Sequence, residues 1–333
     1  MAELIAMRKA ARAVAAVRRR GGRVRTVVAA AGFPYRAPSH PRGVARLPAK
    51  RTTGTDFDTA WARSPVARVA RAVIVEVPMR ATVKAAADPE VVGLDRLADR
   101  RRADDPTPMI FVANHESHLD TPLLLTCIPE PWRHKLVVAA AADYFFSTWL
   151  TGTASALALN AIPIERTTIN RRSADYAASL IDDGWSLLIF PEGGRSPDGW
   201  AQPFKGGAAY LAQRCQVPVV PIHVDGSGAI FGKGAKRLKP GRTRITFGVP
   251  LVMSADENVR RFGDRIEQAV ATLGDEALSD WWSARRRAAT GATPTLGGPA
   301  FTSWRRAWSL ADQRARGKAG QRRRQKRSWP VLD

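Results

Sequence analysis

Cysteine is nearly absent from this chain: Cys127 and Cys215 are the only two in 333 residues. Two thiols make no disulfide framework and match no metal-ligand spacing, so no structural metal is expected and a reducing compartment is. A second absence is that of any apolar run of about 18 residues or more, which argues against a membrane-spanning helix. The N-terminus scatters its basic residues and has no unbroken apolar core, so it does not read as a signal peptide. No Gly-x-Ser-x-Gly elbow and no internal repeat is present. That leaves no serine-hydrolase nucleophile with a motif of its own.

Acidic residues are almost missing from the two ends. Residues 1–52 hold 13 Lys/Arg against Glu3, and residues 285–333 hold 13 against Asp312 and Asp333. The formal charge of +22 therefore sits at the ends, and 53–284 carries 26 basic and 27 acidic residues. The expected organisation is a basic amphipathic arm and linker over 1–52, a near-neutral folded domain over 53–284, and a basic, tryptophan-bearing tail over 285–333. In the arm, Leu4, Ile5, Ala11, Val14 and Val17 alternate with Arg8, Lys9, Arg12 and Arg18 at roughly helical spacing, as in membrane-surface helices. A solvated tail explains the same residues equally well. Residues 31–55, rich in Gly, Pro, Ser and Thr, read as a linker.

With 45% apolar residues the chain can build a sizeable core. Short apolar runs predict strands at 91–94, 109–113, 136–142, 162–164, 185–190, 217–224 and 242–247. Helical periodicity predicts helices from a Thr55 or Asp56 cap through Trp61, Val66, Val69 and Val73, and at 120–127, 173–183 and 206–215. A last helix is predicted over 254–273, with Ser254 and Glu257 as a capping box. Residues 95–108 read as an exposed loop, Gly184 as a helix C-cap, and the aromatic stretch 144–159 as core or as a lipid-facing surface. Strands alternating with helices imply an α/β fold with a mainly parallel central sheet flanked by helices.

Two polar clusters stand where strands should end, the usual place for ligands in open α/β sheets. The first is Asn114-His115-Glu116-Ser117-His118-Leu119-Asp120-Thr121-Pro122. A histidine takes protons near neutral pH, and a carboxylate five residues on can fix its tautomer and stabilise the imidazolium. Asp120 is also a good helix N-cap residue. His118 competes with His115, because i and i+2 share a side in an extended loop. A His–Asp pair without a protein nucleophile suggests direct attack by a substrate hydroxyl on an activated carbonyl. The second cluster is Phe190-Pro191-Glu192-Gly193-Gly194-Arg195-Ser196. Its paired glycines let backbone amides approach an anion, and Arg195, with Arg166 after the 162–164 strand, supplies guanidinium forks for phosphate. Lys205 and Gly206 stand close by in sequence. Surface Arg–Glu pairs are the plainer reading of the two arginines.

Taken together these blocks resemble the glycerolipid acyltransferase family typified by bacterial 1-acylglycerol-3-phosphate acyltransferase. The family's Asn-His-x-Ser-x-x-x-Asp block is met by Asn114, His115, Ser117 and Asp120. Its apolar-x-Arg block is met by Ile162 to Arg166, and its Phe-Pro-Glu-Gly-Thr-Arg-Ser block by Phe190 to Ser196, with Gly194 in place of Thr. Its Val-Pro-Val-x-Pro block is met by Val217 to Pro221. The resemblance covers about residues 56–275. It implies His115 as general base and Asp120 as its orienting partner, with no covalent acyl-enzyme. It implies an acceptor-phosphate site from Arg166, Glu192, Gly193, Gly194, Arg195 and Ser196, with Asn114, Ser117 and Pro221 in support. No cofactor and no metal are implied; acyl-coenzyme A or acyl carrier protein is the co-substrate, and a lysophospholipid, foremost 1-acyl-sn-glycerol-3-phosphate, the acceptor. The product would be phosphatidic acid.

Another lyso-lipid or a glycolipid as acceptor stays open, as does a basic-tailed nucleic-acid-binding protein or membrane scaffold without activity. No nucleic-acid module is recognisable, so no specific nucleic-acid partner is expected. The basic ends, with Trp281, Trp282, Trp304, Trp308 and Trp329, suit an anionic membrane surface. The expected location is therefore cytoplasmic, peripheral on the inner face of the cell membrane.

Overall fold

The computed structural model describes residues 53–101, 107–165 and 171–298. The arm helix and most of the linker fall outside these residues. So do Arg166, Trp304, Trp308 and Trp329.

Seven strands form one sheet in the order β1-β7-β6-β2-β5-β3-β4. They are β1 (Pro89–Val92), β2 (Ile110–Ala113), β3 (Leu136–Ala141), β4 (Ala161–Ile164), β5 (Ser186–Ile189), β6 (Val219–Asp225) and β7 (Thr243–Phe247). Neighbours run parallel except β6 and β7, so β1 and β7 point against the other five. The predicted mainly parallel α/β sheet is thus the architecture, with a reversed pair at one edge.

β2 lies at the centre and is apolar on both faces, as a strand covered by helices on both sides should be. Met109, Phe111 and Ala113 pack with Leu123, Leu124 and Leu125 of the helix Asp120–Cys127. Ile110 and Val112 face the other way, onto the helices Arg171–Asp182, Gly207–Cys215 and Val259–Leu278. The crossover from β2 to β3 therefore covers one face of the sheet, and those from β4 to β5 and from β5 to β6 cover the other. The two kinds of crossover part company at the carboxyl end of β2, the position at which open α/β sheets bind ligands.

Three local expectations are corrected. The first long helix starts at Pro65, capped by Ser64 rather than Thr55 or Asp56. Proline at the first helical position has its φ preset and no N–H to satisfy, and residues 54–63 make two 3₁₀ turns before it. The helix runs on through a widened π turn, Val75–Met79, at Pro78, to Ala87. Its inward stripe is Ala67, Arg71 and Val75, whereas Val66, Val69, Val73 and Val77 are exposed. Second, the last predicted helix spans Val259–Leu278 with Asn258 as its cap. Ser254 and Glu257 form a turn ahead of it, in which Glu257 Oε2 accepts the Ser254 N–H at 3.3 Å. Third, residues 95–108 are not simply an exposed loop, because Leu94–Leu97 and Ala98–Arg101 are helical and Leu97 is fully buried. Here Arg96 donates to the Phe247 carbonyl at 2.8 Å and to Glu276 Oε1 at 2.6 Å, tying the β1 edge to the long helix.

Within 144–159, Phe146 is core while Tyr144, Trp149 and Leu150 are exposed. Gly184 takes φ 84° and closes the helix before β5, as expected.

Gly93 turns the chain out of β1 at φ 82°, with the Phe247 carbonyl against its Cα. A methyl group there collides with that carbonyl and adds left-handed strain of about 1–2 kcal/mol. Gly93→Ala is expected to lower the urea midpoint by the equivalent of about 2 kcal/mol or more. An unchanged midpoint would show that the β1–β7 edge is not held at this carbonyl.

Candidate active site

The site is built where β2 and β5 end side by side. β2 stops at Ala113, and Asn114 continues its pairing with side-chain atoms: Nδ2 donates to the Val224 carbonyl and Oδ1 accepts the Val224 N–H, both at 2.8 Å. The side chain thereby serves as the next residue of the strand, and the main chain is free to leave the sheet.

The loop leaving β2 curls around one carboxylate. Asp120, the first residue of its helix and fully buried, turns its side chain back into the loop. Oδ2 accepts the N–H groups of Glu116 and Ser117, each at 2.8 Å, and lies 2.9 Å from His115 Nδ1. Oδ2 is committed to the loop and to His115, and Oδ1 has no hydrogen-bond partner among the described residues, so the capping reading of this residue gives way to the pairing with histidine. The same geometry separates the two histidines. His118 stacks on Tyr144 and also lies against Phe231, and its Nε2 is 3.3 Å from the Tyr144 hydroxyl. Burial, with the nearby Arg195 and His115 charges, holds its pKa below the usual histidine value.

The Glu192 loop locks onto the first loop. Glu192 Oε1 accepts the His115 N–H and Oε2 the Gln202 N–H, both at 2.7 Å. Ser196 N–H donates to the His115 carbonyl at 2.8 Å, and its hydroxyl to the Trp200 carbonyl at 2.8 Å. The His115 ring lies on Phe190, centroids 4.2 Å apart and planes 22° apart. With Nδ1 on Asp120, the other ring nitrogen, Nε2, is the one left for a substrate.

Gly193 adopts φ 70°, and a Cβ there would come within 2.5 Å of Lys205 Nζ. The bare glycine thus makes room for an ammonium group over the loop backbone. Gln202 Nε2 holds the Gly194 and Arg195 carbonyls, each at 3.2 Å, where the family pattern has a threonine.

The fold therefore gathers Asn114, His115, Ser117, Asp120, Glu192, Gly193, Gly194, Arg195 and Ser196 at one end of the sheet. Arg166 lies outside the described residues, two positions beyond the end of β4 at Ile164. Pro221 is set apart: it is buried within β6, pairs with Val112, and accepts from Gly248 N–H at 2.8 Å, so it packs the sheet. Phe190 and Gln202 carry structural roles that spacing alone did not single out. Phe190 sat in the quoted motif, but stacking is not a property of a motif. Gln202 has no sequence signal.

Residues 89–225 match the acyltransferase family model, and these are the residues from β1 to β6 that hold the site. The likeness to that family thus rests on a stretch that is under half of the chain. Among curated proteins, the acyltransferase domain is similar to 1-acyl-sn-glycerol-3-phosphate acyltransferase alpha of Ovis aries, 29% identical over 187 residues, 52% of this chain and 60% of that protein. A chloroplastic 1-acyl-sn-glycerol-3-phosphate acyltransferase of Brassica napus is 31% identical over 166 residues, 49% of this chain and 44% of the relative. The chain thus spans less than two thirds of these relatives' lengths. Among solved structures, the 1-acyl-sn-glycerophosphate acyltransferase of Thermotoga maritima shares the fold, with TM-score 0.53 and 23% identity over 66% of this chain and 84% of that one.

Glu192→Gln keeps the shape of this acyltransferase loop but replaces one acceptor oxygen with an amide donor, leaving one of two buried N–H groups unpaired. The expected loss is about 1–3 kcal/mol of stability, read from chemical denaturation. A stability equal to the parent's would mean that the two loops are held together elsewhere.

Proposed function

We propose that the protein is an acyltransferase that moves a fatty acyl chain from a thioester donor to the free hydroxyl of a lysophospholipid. The single observation that carries the reading is the 2.9 Å pair of His115 Nδ1 and Asp120 Oδ2 at the mouth of β2. Because Oδ2 already accepts two backbone N–H groups, it presents negative charge to Nδ1 and selects the tautomer with the proton there. Nε2 then bears the lone pair and takes the proton of the acceptor hydroxyl as its oxygen attacks the thioester carbonyl. The tetrahedral adduct collapses, the C–S bond breaks, and the leaving thiolate recovers the proton from Nε2. An ester and a free thiol result, and the steps close on this chain's residues and the two substrates with no cofactor.

Ser117 and Cys127, which bracket the Asp120 turn in sequence, are ill suited to form an acyl-enzyme. The Ser117 hydroxyl donates to the Phe231 carbonyl at 2.8 Å. Cys127 ends the helix after the loop, and burial pushes its thiol up to about 11. Direct transfer is the route these placements support. A base so placed supplies about 10²–10⁴-fold in rate.

1-Acyl-sn-glycerol-3-phosphate is the proposed acceptor, in keeping with the names of the relatives. Its phosphate would meet Arg195, the Gly193–Gly194 backbone and Lys205, with Arg166 as the further guanidinium. Acyl-coenzyme A or acyl carrier protein would be the donor.

The substrate resides in a bilayer, yet no helix among the described residues is long and apolar enough to cross a membrane. We assign docking to an anionic membrane surface, on the cytoplasmic face. Two features support it: the basic ends, and the exposed apolar row Val66, Val69, Val73 and Val77, on a helix packed against the one that exposes Trp149 and Leu150. Lys and Arg near an anionic leaflet contribute about 1 kcal/mol each, while exposed valines and tryptophan suit the interface.

The deciding experiment incubates the purified protein with acyl-coenzyme A or acyl carrier protein and a panel of lysolipids, with products read by mass. Transfer to lysophosphatidic acid is expected. His115→Ala and Asp120→Asn should lose about 100-fold or more of it while melting as folded proteins. Arg195→Ala should raise the acceptor KM about 10–100-fold. Near-normal turnover by His115→Ala would sink the mechanism. Transfer confined to phosphate-free acceptors would keep the base and overturn the phosphate site.

Removing residues 1–52, or replacing Val69 and Val73 by Ser, should each weaken binding to vesicles rich in anionic lipid, and only the first effect should fade in high salt. Unchanged binding in both would remove the membrane assignment.

A further inference from the structure

Glu116 is a half-buried acid that the mechanism does not use. Its N–H belongs to the Asp120 cradle, but its side chain turns the other way, beneath the end of β6. Oε1 lies 3.5 Å from Asn114 Nδ2, an amide already committed to the Val224 carbonyl. Oε2 fills the space over Gly228, where a Cβ would come within 2.8 Å of it. The ionisable groups that bear on it from the packed elements are all carboxylates: Asp120 from its own loop, Glu192 from the loop after β5, and Asp225 from the end of β6. The short helix Ser227–Phe231 brings no titratable side chain.

The four acids are not equally served. Asp120 has two backbone N–H groups and His115, and Glu192 has two backbone N–H groups. Asp225 is exposed to solvent, and Glu116 has, among the described residues, one long amide contact and no ion pair. Carboxylates crowded together do not all ionise, and the proton goes to the one whose charge is least compensated.

We propose that Glu116 is a positioning residue that works as a neutral carboxylic acid, seating the 115–120 loop between Asn114 and Gly228, and that its ionisation disturbs the His115–Asp120 pair. Burial, reinforced by Asp120, Asp225 and Glu192, pushes its pKa up to about 8. The acid is therefore neutral in the working range and turns anionic just above it. A fourth negative charge in the cluster would unseat the loop and oppose an anionic acceptor. The effect on turnover rests on the acyltransferase reading; the protonation state does not.

The test compares wild type with Glu116→Gln, a neutral isostere, across pH by two readouts. In melting, a folded pKa above the unfolded value means that the native state holds the extra proton between pH 4.5 and about 8. Wild-type stability then falls relative to the variant as pH rises through that window. The two Tm values should coincide near pH 4, with the Gln variant ahead by about 10 °C or more at pH 8.5. In turnover, wild-type kcat/KM for lysophosphatidic acid should be about tenfold lower at pH 9 than at pH 7, chiefly through KM. Glu116→Gln should abolish that decline, whereas Glu116→Ala should be impaired at every pH.

Melting curves that stay parallel across pH would overturn the neutral acid. A Tm gap that opens while the Gln variant keeps the wild-type decline would overturn its link to the dyad. If wild type transfers acyl groups to no acceptor, the acyltransferase reading fails, and the melting comparison still decides the state of Glu116.

Discussion

One buried oxygen organises the active end of this molecule. Asp120 Oδ2 receives two backbone N–H groups and faces one imidazole nitrogen, so a single atom fixes the path of the loop and the orientation of His115. A carboxylate removed from water is stable only if its charge is met by donors in good geometry. The residues from Glu116 to Asp120 are folded into a tight turn by that requirement. The rest of the site follows from it: with the loop fixed, the His115 N–H and carbonyl point at the Glu192 loop, which answers with an acceptor and a donor.

The sheet supplies what the oxygen cannot. β2 is held on both sides by parallel neighbours, β5 and β6, and is apolar to both faces. Its carboxyl end is therefore a rigid platform, and two loops leaving adjacent strands meet without either having to span far. Asn114 completes the platform by pairing with Val224 through its amide. The reversed β1–β7 edge is remote from this chemistry and is braced by the buried Arg96–Glu276 pair.

Much of this was legible in the sequence, for identifiable reasons. Buried strands of a parallel sheet are short apolar runs, so all seven were found to within a few residues. The two clusters could be placed at strand ends because polar residues follow those runs directly. The choice between His115 and His118 was not legible from spacing, since both lie within reach of Asp120; it took the fold to turn one ring to the carboxylate and the other to Tyr144. The Thr55 cap failed because local signals compete: Ser64-Pro65 is the stronger start. Val66, Val69 and Val73 were read as helical, correctly, but burial goes to Ala67, Arg71 and Val75. Periodicity tells which residues share a side and is silent on whether that side is covered. Gln202 and Phe190 act through tertiary contacts that no spacing encodes.

Phe190 joins the two loops in a way that no hydrogen bond does. Its ring lies almost flat against His115, at 4.2 Å between centroids. Phe190 follows β5 and His115 follows β2, so the stack clasps the two loops face to face, beside the hydrogen bonds of Glu192 and Ser196. An imidazole lying flat on another ring can turn in its own plane but cannot tilt out of it without losing the contact. The Asp120 contact stops the turning, so the two neighbours together leave the imidazole one orientation.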